Sequence, residues 1–131
     1  MYHRCVLTLF VFSCVIEGRS DTAIQVGGYI NLTVKNSHIL GGRLYGVRCS
    51  GRRVDCHVTN SRLQAISCYS VRSCTIQYST VLSTRPHAQA INAVSVRTLI
   101  IDSNVIANTT SGQAARASGC NSVQASCLFP F

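Results

Sequence analysis

Apolar and polar residues alternate along four stretches of the chain that can be laid over one another. These stretches are residues 32–39, 56–63, 74–81 and 99–106. In each, two apolar positions spaced by one residue are followed by a bend-forming pair, such as Asn36-Ser37, and then by a third apolar position. Alternation with a period of two indicates a strand with one buried face. The stretches therefore predict four strands with shared inward columns, each followed by a bend and a second short strand.

A second alternating block precedes each stretch and supplies a third strand. The blocks begin at residues 23, 44, 65 and 90, so they recur every 21 to 25 residues. A period in this range is typical of a solenoid, in which each unit buries its apolar side by stacking on its neighbours. The predicted inward pairs are Ile24 with Val26, Tyr45 with Val47, Ile66 with Cys68 and Ile91 with Ala93. Three strands per turn predict an all-β fold, a parallel β-helix of about four to six short rungs over residues 21–110.

The apolar columns and the bends between them resemble the repeats of a known superfamily. Residues 34–39, followed by Gly41, have the same pattern of apolar and bend positions as residues 58–63 and 101–106. Over about residues 23–106 the pattern resembles the right-handed parallel β-helix proteins of the pectin-lyase-like superfamily. The resemblance implies a right-handed solenoid and leaves the activity open, because that superfamily includes polysaccharide lyases and hydrolases, non-catalytic adhesins and viral structural proteins.

The two ends of the chain depart from the repeat. Residues 1–20 combine a short basic start, an uncharged run over residues 5–16 and small residues before position 21, which is the pattern of a cleaved secretory signal. The same segment can instead form one more rung, since Val11 and Ile16 fit the apolar columns. Residues 111–131 lose the alternation and are interpreted as a cap or a tail, because the open end of a solenoid needs a cover.

The signal pattern, the cysteines and two sequons favour a secreted protein. If residues 1–20 are instead a rung, the expected location is intracellular. Cleavage after residue 20 would leave six of the eight cysteines, an even number suited to disulfides in an oxidising compartment. N-glycosylation sequons begin at Asn31 and Asn108. The uncharged run is too short to cross a bilayer, so no membrane span is expected in the mature chain.

The formal net charge of +8 comes almost wholly from arginine, against four acidic residues. A basic surface favours acidic partners such as sulfated or uronic glycans, nucleic acid or anionic membranes. The sequence has no phosphate loop, dinucleotide fingerprint or RNA-binding aromatic motif, so no cofactor and no specific nucleic-acid contact are predicted. Arg48, Arg52 and Arg53 form the densest basic group and are interpreted as a solvated loop that keeps the protein soluble.

Stacking the strands turns their outward face into a grid on which catalytic groups would meet. From the first rung to the fourth, its columns are Asn31, Asp55, Ser73, Thr98; Thr33, His57, Thr75, Ile100; and Lys35, Thr59, Gln77, Asp102. A glycosidase needs two carboxyl groups about 5 to 9.5 Å apart. Asp55 and Asp102 fall about 16 Å apart, at about 4.8 Å per rung and 3.3 Å per residue. This pair cannot act on one glycosidic bond.

Other catalytic groups also fail, which leaves the outward face as a binding surface. Lyase chemistry of the kind that the resemblance implies needs a cluster of several acids to hold calcium, and the chain lacks these acids. A triad of Asp55, His57 and Ser73 is disfavoured because the serine falls in the column of the aspartate. The predicted binding residues are Asp55, His57, Arg72, Thr75, Gln77 and Arg97. The alternative is that these polar groups only keep the solenoid soluble.

The inward columns contain cysteines whose register predicts contact. The disulfide candidates are Cys49, Cys56, Cys68, Cys74, Cys120 and Cys127. Cys56 and Cys74 fall in one column on successive rungs, with α-carbons about 4.8 Å apart and so within disulfide range. Cys49 and Cys68 lie near each other on the preceding strand, and the last two candidates would pin the cap. Disulfides and free buried thiols both stay open, whereas no metal is predicted because there is no Cys-x2-Cys pair.

Three functions are consistent with these observations. The leading hypothesis is a small secreted, non-catalytic β-helix that presents a polar, basic surface to acidic or neutral glycans. The second is a truncated or degenerate lyase or hydrolase of the pectin-lyase-like class. The third is a viral or cell-surface assembly module that forms a homo-oligomer along its length. The outward face is rich in hydroxyl, amide and guanidinium groups and poor in acids, which favours the first hypothesis.

Overall fold

The alternating stretches of the sequence lie one above another as strands of parallel sheets. The computed structural model describes residues 7–18, 21–41, 45–83, 90–108 and 115–128. All regular structure in these residues is β, and the strands stack as a solenoid of about four turns. The all-β class and the parallel solenoid predicted from the repeat are confirmed.

Fifteen strands lie in the described part of the chain. In chain order they are β1 (Leu7–Phe12), β2 (Val15–Gly18), β3 (Thr22–Val26), β4 (Ile30–Lys35), β5 (His38–Gly41), β6 (Tyr45–Ser50), β7 (Asp55–Thr59), β8 (Arg62–Gln64), β9 (Ile66–Tyr69), β10 (Ser73–Gln77), β11 (Thr80–Ser83), β12 (Ile91–Val94), β13 (Thr98–Asn108), β14 (Ala115–Ser118) and β15 (Ser122–Leu128). Each pairing between them is parallel, as expected for coils that repeat in one direction.

The strands form three stacks, as three strands per turn require. The first stack is β1, β4, β7, β10, the first part of β13 and β15. The second is β2, β5, β8, β11 and the last part of β13, and the third is β3, β6, β9, β12 and β14. At Ser103-Asn104, where the sequence predicts a bend, β13 continues as a strand that joins the first two stacks into one sheet, and its pairing with β15 shifts register between Asp102 and Asn104.

A continuous apolar column fills the centre of the first stack. The register sets Val34 beside Val58, Val58 beside Ile76, and Ile76 beside Ile101. All four side chains are buried in the core. Burying an aliphatic side chain of this size stabilises the fold by about 1.5 to 3 kcal/mol. The column predicted from the sequence is therefore confirmed, and it holds the successive rungs in register.

A ladder of buried serines holds the bend between the first and second stacks. The residue before Cys14 and before each bend serine has a left-handed backbone, with φ between 47° and 53° at Ser13, Asn36, Asn60 and Tyr78. The hydroxyl of Ser37 accepts the N–H of Cys14, that of Ser61 accepts the N–H of Ser37, and that of Ser79 accepts the N–H of Ser61, at 3.1 to 3.2 Å. Each hydroxyl also donates to the carbonyl two residues earlier. These hydrogen bonds run from rung to rung and satisfy buried polar groups.

The corner between the third and first stacks turns in the same way in five rungs. Its left-handed residues are Gly28, Gly51, Ser70, Ser95 and Gly119, with φ of 69°, 127°, 53°, 57° and 65°. At Gly51 an added Cβ would lie 2.8 Å from the carbonyl oxygen of Gly28, so both the backbone and the space require glycine. We call these residues, with the three or four that separate the strands around each, the first corner.

One predicted register in the third stack is wrong. The sequence alignment set Tyr45 and Val47 beside Ile24 and Val26, but the structure sets Val47 beside Ile24 and Cys49 beside Val26. Alternation with a period of two cannot distinguish registers that differ by two residues, because the inward residues stay inward in both. The backbone pairing of β3 with β6 decides between them.

The segments at the two ends add strands to the stacks. β1 lies over β4 and β2 over β5, with Val11 beside Val34 and Ile16 beside Ile39. This is the register given by the rung interpretation; cleavage of a signal stays a prediction. Past residue 110, β14 pairs with β12 and β15 with β13, while the role of this segment as a cap stays a prediction. The described residues contain no helix with the length and apolar character needed to cross a membrane.

Candidate functional site

The outward face of the first stack carries the predicted grid in its predicted register. Asp55 lies beside Ser73, His57 beside Thr75 and Thr59 beside Gln77, and the next strand continues the three columns with Thr98, Ile100 and Asp102. Asp55 and Asp102 are thus two strands apart. His57 is exposed, whereas Thr75 exposes only 8% of its surface. Solvent therefore reaches this column mainly at the histidine.

Asp55 is held by two donors from the neighbouring rung. The Arg72 guanidinium donates from Nε to Oδ1 at 2.9 Å and from Nη2 to Oδ2. The Ser73 hydroxyl donates to the same Oδ1 at 2.7 Å, and the N–H of Asp55 donates to Asn31 Oδ1 at 2.9 Å. The hydrogen bonds from Arg72, partly opposed by burial, lower the pKa of Asp55. This carboxyl is therefore an ionised anchor for the arginine.

The same contacts bear on the triad of Asp55, His57 and Ser73. In a triad the serine hydroxyl donates to histidine and the carboxylate orients the imidazole. Here the Ser73 hydroxyl donates to Asp55, whose two oxygens are both engaged by Arg72. Asp55 and Ser73 are therefore arranged to position Arg72, and the hydrogen bonds do not run from serine to histidine to aspartate as in a nucleophilic triad.

Asp55→Asn is expected to make the stability of the protein less sensitive to acid. Because the pKa of Asp55 is lower in the folded chain than its ordinary 3.8, its contribution is complete above 3.8 and is lost as the pH falls through the folded pKa. Urea unfolding at pH 5 and pH 2 should show a smaller fall in midpoint for the variant than for the wild type. The control Asp21→Asn removes an exposed carboxylate with no ion pair among the described residues. Its urea midpoint should fall between pH 5 and pH 2 by as much as that of the wild type. Equal falls in all three would contradict the assignment.

A cleft of about 360 Å³ lies along the first corner. Its lining residues are Arg52, Ser70, Val71, Arg72, Ser95, Val96, Arg97, Gly119 and Asn121. They come from four successive rungs, between β6 and β7, β9 and β10, β12 and β13, and β14 and β15. We call this feature the arginine cleft. Its walls are built by the corner itself, because the left-handed Ser70, Ser95 and Gly119 are part of the lining.

Arginine side chains stand on successive rungs of the arginine cleft. The N–H of Thr98 donates to the carbonyl of Arg72, and the N–H of Ser122 donates to the carbonyl of Arg97, at 3.1 and 3.0 Å. Arg72, Arg97 and Asn121 therefore follow one another at about the 4.8 Å spacing of parallel strands. The equal position of the first two in their Ser-Val-Arg stretches was the sequence signal for this column.

The arginine cleft is strongly basic because most of its charge is not neutralised. No acidic residue is among those that line it. Arg72 is paired with Asp55, but Arg52 and Arg97 have no acidic partner in the part of the chain that the structure describes. Guanidinium groups bind carboxylate, sulfate and phosphate oxygens through two parallel hydrogen bonds. Two guanidiniums of this cleft are therefore free to bind an anion.

The basic group at residues 48–53 divides between three environments. Arg48 is exposed on β6, outside the arginine cleft. Arg53 lies over the ring of Tyr29, 5.6 Å from its centre, in a cation–π contact. Only Arg52 lines the cleft. The interpretation of these residues as a solvated loop stays a prediction. The sequence alone did not set Arg52 beside its neighbours in the cleft, because they come from later rungs.

Four of the predicted cysteines meet in the interior. The register sets Cys49 beside Cys68 and Cys56 beside Cys74, as the sequence indicated. The shortest sulfur contacts, however, are Cys49 to Cys56 at 2.9 Å and Cys68 to Cys74 at 2.7 Å. Contact thus runs across the interior within each rung as well as from rung to rung.

The remaining predicted sites are less well defined. Asn31 is partly buried and accepts a hydrogen bond through Oδ1, while the other sequon asparagine, Asn108, has its side chain outside the described residues. Cys120 is partly buried, and the side chain of Cys127 also falls outside the described residues. The glycosylation of both asparagines and the Cys120 to Cys127 bridge stay predictions.

Comparison of the chain with protein-family models, with curated proteins and with solved structures finds no match. The candidate site therefore rests on its own geometry. That geometry is a basic cleft along one corner, joined through the Arg72 and Asp55 pair to the polar strand face that carries His57 and Gln77.

Proposed function

We propose that this protein is a secreted, non-catalytic β-solenoid that binds acidic glycans through the arginine cleft. The observation that carries the proposal is the pair of guanidinium groups of Arg52 and Arg97, which share one cleft and have no acidic partner among the described residues. A sulfate or uronic carboxylate accepts two hydrogen bonds from such a group. A glycan supplies several anions along one chain, which suits basic groups carried on successive rungs.

The strand face beside the cleft provides the second part of the proposed surface. Arg72 links the two regions, since it lines the cleft and holds Asp55 on β7. His57 and Gln77 lie further along the same face and offer hydrogen-bonding groups for sugar hydroxyls. The resemblance to the pectin-lyase-like superfamily supports this placement, because in its enzymes an exposed strand face of this kind carries the substrate groove.

The absence of catalysis is part of the proposal. Asp55 is engaged by Arg72 and Ser73, and Asp102 lies two strands away, so these two carboxyls are not placed to act on one glycosidic bond. Secretion rests on the signal pattern and the even number of cysteines that cleavage would leave. It requires that residues 1–20 are removed, although β1 and β2 form a rung over β4 and β5 in the full chain. The solenoid then serves as a rigid support for a binding surface.

Direct binding measurements test the proposal. Heparin supplies sulfates, polygalacturonate supplies uronic carboxylates, dextran is neutral, and duplex DNA is the competing polyanion. We expect binding to at least one acidic glycan, no binding to dextran, and weaker binding as salt rises from 0.1 to 1 M, because the Debye length shrinks from about 10 Å to about 3 Å.

Two results would overturn the glycan assignment. One is the absence of binding to either acidic glycan at low salt. The other is tighter binding to duplex DNA than to both glycans at equal salt, which would assign the cleft to nucleic-acid phosphates. Incubation of each glycan with the protein, followed by an assay for reducing or unsaturated ends, tests the non-catalytic part separately.

A further inference from the structure

Two successive rungs carry a cysteine on either side of the first corner. Cys49 ends the inward face of β6 and Cys56 begins that of β7, while Cys68 and Cys74 take the same positions in β9 and β10. The rungs on either side have apolar pairs at these positions, namely Val26 with Leu32 and Ala93 with Leu99. The cysteines thus occur as matched pairs within a rung, in a place that otherwise needs only apolar bulk.

The sulfur positions favour contact within each rung. Cys49 Sγ lies 2.9 Å from Cys56 Sγ, and Cys68 Sγ lies 2.7 Å from Cys74 Sγ, with all four side chains buried. The sulfurs of Cys49, Cys56 and Cys68 lie within 4.8 Å of one another, so the two pairs stack. A tetrahedral zinc with sulfurs at about 2.3 Å would hold them about 3.8 Å apart. The observed pairs are closer than a metal would place them, although they are longer than a disulfide bond of about 2.05 Å.

We propose that Cys49 with Cys56, and Cys68 with Cys74, form two stacked disulfides, each of which closes the first corner of its own rung. The bridges would enclose the corner segments that carry Arg52 and Arg72, and these residues form one wall of the arginine cleft. The proposal differs from pairing along the inward columns, which would join Cys49 to Cys68 and Cys56 to Cys74 from rung to rung.

The oxidation needs a two-electron acceptor, and a disulfide such as oxidised glutathione is the class that supplies it. A thiolate of one pair attacks a donor sulfur, forms a mixed disulfide and releases one donor thiolate. The second cysteine, once deprotonated, attacks the protein sulfur of that mixed disulfide and releases the other donor thiolate. The protein loses two protons and two electrons per bridge, and the donor becomes two thiols. Because the sulfurs are buried in the assembled solenoid, exchange takes place as the rungs form.

The four thiols shift one another's pKa through hydrogen bonds both within a rung and between the two rungs. The S–H groups of Cys49, Cys68 and Cys74 hydrogen-bond to Cys56 and lower the pKa of its thiol, against the effect of burial. The pKa of Cys49 is raised, first by its hydrogen bond to Cys56. In the assembled cluster Cys56 is therefore the thiol of this pair that ionises more readily.

Peptide mapping distinguishes every pairing of these four residues. Arg52, Arg62 and Arg72 separate them in the sequence, so trypsin leaves each cysteine on a peptide of its own. The full chain is refolded in a buffer of reduced and oxidised glutathione, alkylated under denaturing conditions and digested without reduction. We expect the peptide of residues 49–52 joined to 54–62, and that of 63–72 joined to 73–97, each pair two hydrogen atoms lighter than its free peptides.

Two variants sharpen the mapping. Cys49→Ala should leave Cys56 alkylated and keep the link between the peptides of Cys68 and Cys74. Cys14→Ala, which removes an exposed cysteine, should keep both links. Links between the peptides of Cys49 and Cys68, or of Cys56 and Cys74, would overturn the proposal. Four alkylated cysteines in the wild type would also overturn it, and elemental analysis for zinc would then show whether the cluster holds a metal.

Discussion

Ile76→Ala is expected to lower the free energy of unfolding by about 2 to 5 kcal/mol, a large part of the 5 to 15 kcal/mol typical of a domain. Ile76 is fully buried, at the centre of the column, with Val58 on one side and Ile101 on the other. Strands above and below fix its surroundings, so the cavity left by alanine cannot collapse easily. Urea unfolding followed by circular dichroism gives the difference as a lower midpoint at an unchanged slope.

The matched control for this change is Val123→Ala. Val123 is also an aliphatic residue of the first stack, but it lies on β15 and exposes 50% of its surface. We expect it to change the free energy of unfolding by no more than about 0.5 kcal/mol. If the two variants lose equal stability, the column does not support the solenoid as described.

The double variant Arg52→Glu with Arg97→Glu is expected to weaken binding of the acidic glycan found in the direct assay by about 100-fold. Each arginine offers a charged hydrogen-bond donor pair worth about 1.5 to 3 kcal/mol. Losing two such contacts costs at least about 3 kcal/mol, at 1.4 kcal/mol for each factor of ten. Isothermal titration at 0.1 M salt measures the change, and unfolding curves confirm that the variant is folded.

Arg48→Glu with Arg116→Glu is the control of equal charge. Arg48 and Arg116 are exposed on the outward face of the third stack, away from the arginine cleft, and the double change alters net charge by the same amount. We expect this variant to bind within a few-fold of the wild type. Equal loss in both double variants would mean that net charge alone attracts the glycan and that the cleft is not its site.

The inward columns were predictable because burial in a solenoid repeats at equal positions of each coil. Val34, Val58, Ile76 and Ile101 could be aligned from the sequence because a bend-forming pair stands two residues after each. The outward columns followed from the same alignment. In the third stack no such marker exists, and Tyr45 was placed two residues out of register. Alternation defines which face is buried; a bend or a glycine is needed to define the register.

The sulfur contacts and the arginine cleft depend on geometry that an alignment of strands does not contain. Columns describe neighbours from rung to rung, so they found Cys56 beside Cys74 but not the shorter contact of Cys56 with Cys49 across the interior. Arg52 follows the left-handed Gly51, outside the alternating strands. Its place beside Arg72 and Arg97 comes from the path of the corner, which the sequence pattern does not specify.

The connections between strands differ in length at the three edges of the solenoid. At the first corner they have three residues, or four at residues 51–54, and at the serine ladder they have two. Between the second and third stacks they range from Ala65 alone to the seven residues 84–90. The spacing between strands thus differs by up to six residues along this edge, whereas at the first corner it differs by only one. A graft of extra sequence, such as an epitope or a fused module, would be accommodated along that edge without shifting the neighbouring coils.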